Sequence, residues 1–117
     1  MSPTKRRRAP LRPIEFLTLA ALSEVPRHGY GLVQEVAQQT EGQIQLRPGD
    51  LYRVLVRLEQ RELLAISDRR PTPEMDDQRR TYYRLTDLGR EILRAEAEML
   101  SKVSQNVLSK VHTEVTP

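Results

Sequence analysis

Arg47-Pro48-Gly49-Asp50-Leu51-Tyr52-Arg53-Val54-Leu55-Val56-Arg57-Leu58-Glu59 is the stretch that decides the fold. Leu51, Val54, Leu55 and Leu58 recur at helical spacing and predict one buried stripe. Arg53 and Arg57, with Gln60 or Arg61, fall on a different face and are expected to point away from it. Pro48 suits a first helical turn, where its missing N–H costs nothing. The spacing therefore predicts a helix from about 48 to 61, apolar on its back and basic on its front.

Upstream, Ile14, Leu17, Thr18, Ala21, Leu22 and Val25 share a helical face beginning at Pro13. Phe16 is a further candidate for burial, and Pro26 is expected to stop this helix. His28-Gly29-Tyr30-Gly31 reads as a turn into a second helix, with Leu32, Val33, Val36 and Ala37 as its stripe and Gly42 at its end. Downstream, Leu63-Leu64-Ala65-Ile66-Ser67 reads as a short strand, 69–78 as a loop and 79–85 as an alternating strand. In that second strand Thr81, Tyr83 and Leu85 are expected to face a core, and Arg80, Tyr82 and Arg84 to face out. Thr86 is the expected N-cap of a last helix running to about Val111, with Asp87 favourable at its positive end.

The predicted fold class is mainly α with a small β-hairpin, a winged helix-turn-helix plus a C-terminal dimerisation helix. Residues 1–12 read as a basic flexible arm, 13–85 as the winged helix-turn-helix domain and 86–117 as the dimerisation helix. In such a domain an apolar-backed helix with arginines in front can be held by the core and still enter a DNA major groove.

At 117 residues the chain is one small domain with an appended element. The net charge of +3 is slight, but its distribution is uneven. Lys5, Arg6, Arg7, Arg8 and Arg12 stand in a stretch, 1–13, that holds no acid. A basic end on a mixed body is the electrostatic footprint of phosphate binding. The absence of cysteine excludes disulfides, thiol chemistry and a Cys-based zinc site. His28 and His112 lack partners at metal-ligand spacing, so no metal is expected. No Ser-His-Asp order, glycine-rich phosphate loop or paired-carboxylate spacing stands out, and Asp76-Asp77 reads as a solvated loop pair, so neither an enzyme nor a cofactor is expected. No apolar run approaches the roughly 20 residues of a membrane span, and no signal core follows the basic start. The expectation is a soluble, unexported, cytoplasmic protein without membrane contact.

The planar fork of arginine can bond guanine O6 and N7 together or grip a phosphate, which gives Arg53, Arg57 and Arg61 their interest. Tyr52 has two readings, packing with its hydroxyl at the rim or contact of that hydroxyl with a phosphate. Tyr30, at the start of the second helix, reads as structural. Arg79, Arg80 and Arg84 flank the wing, opposite Arg69 and Arg70, within reach of a groove or its phosphates. The acids Glu74, Asp76 and Asp77 predict a wing tip that lies away from the DNA backbone. In the last helix Leu93, Ala97, Leu100, Ser104, Val107 and Val111 recur at spacings of four and three, broadened by Val103 and Leu108. The stripe persists for about five turns, longer than one small domain covers, and calls for a partner helix from a second copy.

In order and spacing, these residues resemble the PadR-like family of bacterial transcriptional regulators. The resemblance runs from Leu17 to Leu93. It rests on Leu22 through His28-Gly29-Tyr30, on Pro48-Gly49, Leu51-Tyr52, Leu55 and Arg57-Leu58-Glu59, and on Arg79 through Thr86 with Gly89-Arg90. It implies a homodimeric repressor with one winged helix-turn-helix per subunit, the last helix as dimer contact, and release from DNA by a small-molecule inducer. The expected partners are double-stranded DNA bearing an inverted-repeat operator, a second copy of the chain and that inducer. The residues expected on DNA are Arg47, Asp50, Tyr52, Arg53, Arg57, Arg79, Arg80 and Arg84. Those expected in the dimer are Leu93, Ala97, Leu100, Val103, Val107 and Val111.

The chain departs from the family pattern at four places. Arg47 and Asp50 stand where the family often has Ser or Thr, and Arg53 stands where it has Pro, so an operator sequence does not carry over. Glu62 stands where the family usually has Gly after the third helix. The chain has no Trp, so stacking of a planar drug on a Trp of the last helix is not supported. The alternative reading is a winged-helix module that binds protein without reading DNA. That module would need a neutral or apolar front on the helix at 48–61, and this front is basic.

Overall fold

The computed structural model describes residues 10–68 and 80–111. The expected loop at 69–78, Arg79, the arm residues before Pro10, and His112 lie outside the described residues. The elements run α1 (Pro13–Ala21), β1 (Arg27–His28), α2 (Gly29–Gln39), α3 (Pro48–Gln60), β2 (Leu64–Ser67), β3 (Tyr82–Leu85) and α4 (Asp87–Lys110). The mainly α fold with a small sheet and a long last helix is the expected one.

The sheet differs from the expected hairpin in having a third strand. Its order is β1-β3-β2, antiparallel throughout, with Arg27 opposite Tyr83, His28 opposite Tyr82 and Leu64 opposite Leu85. This makes β3 the central strand and corrects the expectation for Tyr82. That residue was expected outside and is buried, while Thr81, expected inside, is exposed. The cross-strand neighbour His28 covers Tyr82 edge-on, with ring centroids 5.2 Å apart. Arg80 and Arg84 are exposed and Leu85 is buried, as the alternation predicted.

The core is built from the predicted stripes. Leu51, Val54, Leu55 and Leu58 of α3 are all buried, with Leu32 and Val36 of α2 and Leu63 and Leu64 at the start of β2. Helix α1 is shorter than expected. It ends at Ala21, and Leu22 and Ser23 close the turn on the carbonyls of Leu19 and Ala20 at 3.0 and 3.1 Å. Leu22 is buried, but Val25, beyond that turn, is exposed, and Pro26 follows the helix end without causing it. The chain joins the core before α1 begins, through buried Leu11.

Two helices end on residues that pay for a left-handed backbone. At the end of α2, Glu41 has φ 54° and Gly42 has φ 82°, and the Gly42 N–H donates to the Ala37 carbonyl at 2.7 Å. At the end of α3, Glu62 has φ 62°, and the Leu63 N–H donates to the Leu58 carbonyl at 2.9 Å. Both are the six-to-one closure that usually places glycine at the left-handed position, and glutamate occupies it here.

The Glu62 turn is where α4 docks. Thr86 caps α4 by accepting the Gly89 N–H at 2.9 Å, and its hydroxyl donates to the Glu62 carbonyl at 2.6 Å. The Thr86 N–H donates to the Leu63 carbonyl at 3.2 Å. Gly89 is buried so closely against that carbonyl that a Cβ would collide with its oxygen. Ile92 is buried beyond it, and Leu88 and Leu93 pack on the core. From Ala97 to the end of α4 at Lys110, and on to Val111, every residue is exposed.

Candidate nucleic-acid interface

The exposed side of α3 begins at its N-cap, Arg47, where Pro48 opens the helix. Asp50, Tyr52 and Arg53 follow on the open surface of the first two turns. Arg53 donates from Nη2 to Asp50 Oδ1 at 2.6 Å, in water-exposed surroundings. Such a pair is worth at most about 1 kcal/mol and is weakened by salt, so a phosphate can replace the carboxylate. Tyr52 is 65% exposed, which excludes core packing and leaves its hydroxyl reading. Tyr30, read from sequence as structural, is 64% exposed at the start of α2 and belongs to the same surface.

Arg57 and Arg61 do not point away from the domain as expected. Both turn to α1, where Glu15 lies buried. Arg57 Nε donates to Glu15 Oε2 at 3.3 Å, and Arg61 Nη1 lies 3.5 Å from Oε1. The sequence reading missed Glu15 because a charged residue in an amphipathic helix is ordinarily on its wet side. The signal was present in its place three residues after the N-cap, where a carboxylate reaches back to the capping N–H. Glu15 Oε1 accepts the Arg12 N–H at 2.9 Å.

Between α2, α3 and β3 lies a cavity of about 520 Å³, lined by His28, Tyr30, Val33, Leu51, Tyr52, Leu55, Arg80 and Tyr83 among others. His28 Nδ1 caps α2 by accepting the Gly31 N–H at 3.1 Å, and Arg80 Nη1 lies 2.9 Å from Nε2. A neutral imidazole has one acceptor nitrogen, so these two contacts are alternatives and not simultaneous hydrogen bonds. Burial raises the pKa of the Tyr83 phenol above its ordinary value, and the Glu59 carboxylate and Tyr52 add to the rise. Tyr83 therefore stays a neutral hydroxyl at physiological pH.

The structure thus brings Arg47, Asp50, Tyr52 and Arg53 together on α3, with Arg80 across the cavity. It does not bring Arg84 to them. Arg84 lines a separate depression with Glu24, Asp68 and Arg90. Among the described residues no cluster of His, Cys, Asp or Glu can hold a metal ion, and no helix is long and apolar enough to cross a membrane.

A helix-turn-helix with an open, polar third helix beside a strand-built wing is a frame for DNA, and the sequence match says the same. The family model for the transcriptional regulator PadR-like family matches residues 18–95. The chain belongs to the PadR-like family. It is a transcriptional regulator with a DNA-binding winged-helix fold. The PadR family transcriptional regulator from Eggerthella lenta has 30% sequence identity at a TM-score of 0.63, with 86% of this chain and 83% of that one covered. The PadR-like transcriptional regulator from Bacillus cereus shares the fold at a TM-score of 0.71 and 23% identity, covering 86% and 93%. A Streptomyces fradiae relative, an uncharacterized 37.1 kDa protein in transposon TN4556, is 38% identical over 103 residues. That match takes in 87% of this PadR-like chain and 27% of the transposon protein, so the chain spans about a quarter of that relative's length.

Proposed function

We propose that this PadR-like protein is a cytoplasmic homodimeric repressor that binds an inverted-repeat operator in double-stranded DNA. The observation that carries the DNA reading is the division of α3. Its apolar face is wholly buried, while Arg47, Asp50, Tyr52 and Arg53 stand on open surface in its first two turns. In a helix-turn-helix the N-terminal residues of the recognition helix reach base edges. Arg53 and Arg47 supply the base or phosphate contacts, Tyr52 and Tyr30 supply hydroxyls, and Arg80 approaches from the wing, with Arg79 beside it in sequence. Arg57, committed to Glu15, takes no direct part in this reading, and Arg84 contacts at most the flanking backbone.

The dimer is supported by α4, where exposed Ala97, Leu100, Val103 and Val107, with exposed Val111 just past the helix end, continue the stripe of Leu93. Release by a small-molecule inducer, which the family resemblance implies, finds support in the 520 Å³ cavity beside α3. Its volume lies in the range of ligand sites, and a molecule seated there would compete with DNA for the same surface. The test of the whole reading is binding of the purified protein to its own upstream DNA across salt concentrations. Specific retention that outlasts binding to unrelated duplex is expected. Equal binding to both at every salt concentration would favour the protein-binding alternative.

A further inference from the structure

Arg53, Arg57 and Arg61 recur at intervals of four along and just beyond α3, yet they meet carboxylates of two kinds. Arg53 meets Asp50 where both side chains are open to water. A phosphate displaces that carboxylate cheaply, because solvent and salt already screen the pair. Arg57 and Arg61 meet Glu15, whose side chain is only 4% exposed. The same carboxylate also accepts the N–H of the residue that opens α1. A guanidinium that leaves Glu15 for DNA strands a buried negative charge, which is costly.

The geometry points to Glu15 as a specificity-determining residue, an internal stand-in for phosphate that holds Arg57 and Arg61 back from the DNA backbone. Each cation that reaches a phosphate strengthens binding to every sequence alike. Holding two of them on a buried carboxylate lowers that common part and leaves the contribution of Arg47 and Arg53 intact. Recognition then depends more on the first turns of α3. The inference rests on the DNA-binding reading proposed above.

The test is a salt titration of the full-length protein on random-sequence duplex. It compares the parent with Glu15→Gln and with the triple variant Glu15→Gln, Arg57→Gln, Arg61→Gln, in which no ion is left buried alone. Glu15→Gln takes the buried carboxylate away from Arg57 and Arg61. Its log–log salt slope is expected to steepen by at least about one, the share of Arg57, with binding tightened severalfold near 0.1 M salt. The triple variant is expected to keep the parent's slope. A purely structural ion pair would alter melting temperature and leave the Glu15→Gln slope at the parent's value, which overturns the inference. A triple variant whose slope is shallower by about two overturns it as well, because both arginines would then grip phosphate with Glu15 in place. That second outcome is readable even if Glu15→Gln fails to fold. A parent without salt-dependent DNA binding defeats the underlying reading itself, which separates the two failures.

Discussion

The two halves of α4 carry the same apolar periodicity and meet opposite surroundings. In the first half Gly89 touches the Leu63 carbonyl, Ile92 is buried, and Leu88 and Leu93 pack on the core. In the second half Leu100, Val103 and Val107 stand 39%, 51% and 49% exposed. A stripe alone therefore does not say what it covers. The first half is held by backbone geometry that admits one residue type, and the second is free to choose a partner.

The largest expected effect lies in the first half. Gly89→Ala places a Cβ on the Leu63 carbonyl, and neither the α4 cap nor the α3–β2 turn can yield without breaking the Thr86 hydrogen bonds. A loss of about 4 kcal/mol or more is expected, at the severe end for single substitutions. A melting curve superimposable on the parent's would show that the two backbones are not truly in contact.

Next comes the second half. Leu100→Glu is expected to leave the fold intact and cost about 3 kcal/mol of dimer free energy, by burying an unpaired charge at the proposed subunit contact. Sedimentation reads it directly, and an operator with half-sites about one helical turn apart should lose affinity more than a single half-site does. A parent that sediments as a monomer at micromolar concentration and binds one half-site tightly would remove both dimer and palindrome.

A smaller change isolates DNA reading from both halves. Arg53→Ala is expected to cost about 1–3 kcal/mol of operator binding and to relax preference at one base pair if the residue reads a base. Its melting temperature should barely move, since the Asp50 pair is exposed. Unchanged binding would take α3 out of the interface. The smallest effect belongs to the turn on which α4 docks. Glu62→Gly removes a left-handed penalty and is expected to stabilise the fold by about 1 kcal/mol in thermal or denaturant unfolding. A destabilised Glu62→Gly would mean that the side chain repays its backbone strain.

Periodicity made most of this legible before any coordinates. The α2 and α3 stripes and the overlong stripe of α4 follow from spacing, β2 from its apolar run and the α4 cap from Thr86 itself. The missing parts share a cause, which is dependence on a partner distant in sequence. The two residues of β1 are too few to alternate, and only pairing with β3 makes them a strand. That pairing puts β3 in the middle of the sheet and buries Tyr82. The turn of Arg57 and Arg61 toward α1 depends on Glu15, whose burial no local pattern announces. Tyr30 and Tyr52 are ambiguous in sequence because tyrosine suits both a core rim and a wet surface.

His28 joins three structures at one residue. It is the last residue of β1, the cap of α2 and the ring against which Tyr82 packs. The base of the wing and the start of the helix-turn-helix therefore belong to one cooperative opening unit. In native-state hydrogen exchange the amides of Gly31 and Tyr83 should share one opening free energy and respond together to denaturant. Loosening this base would uncap α2, which packs directly against α3.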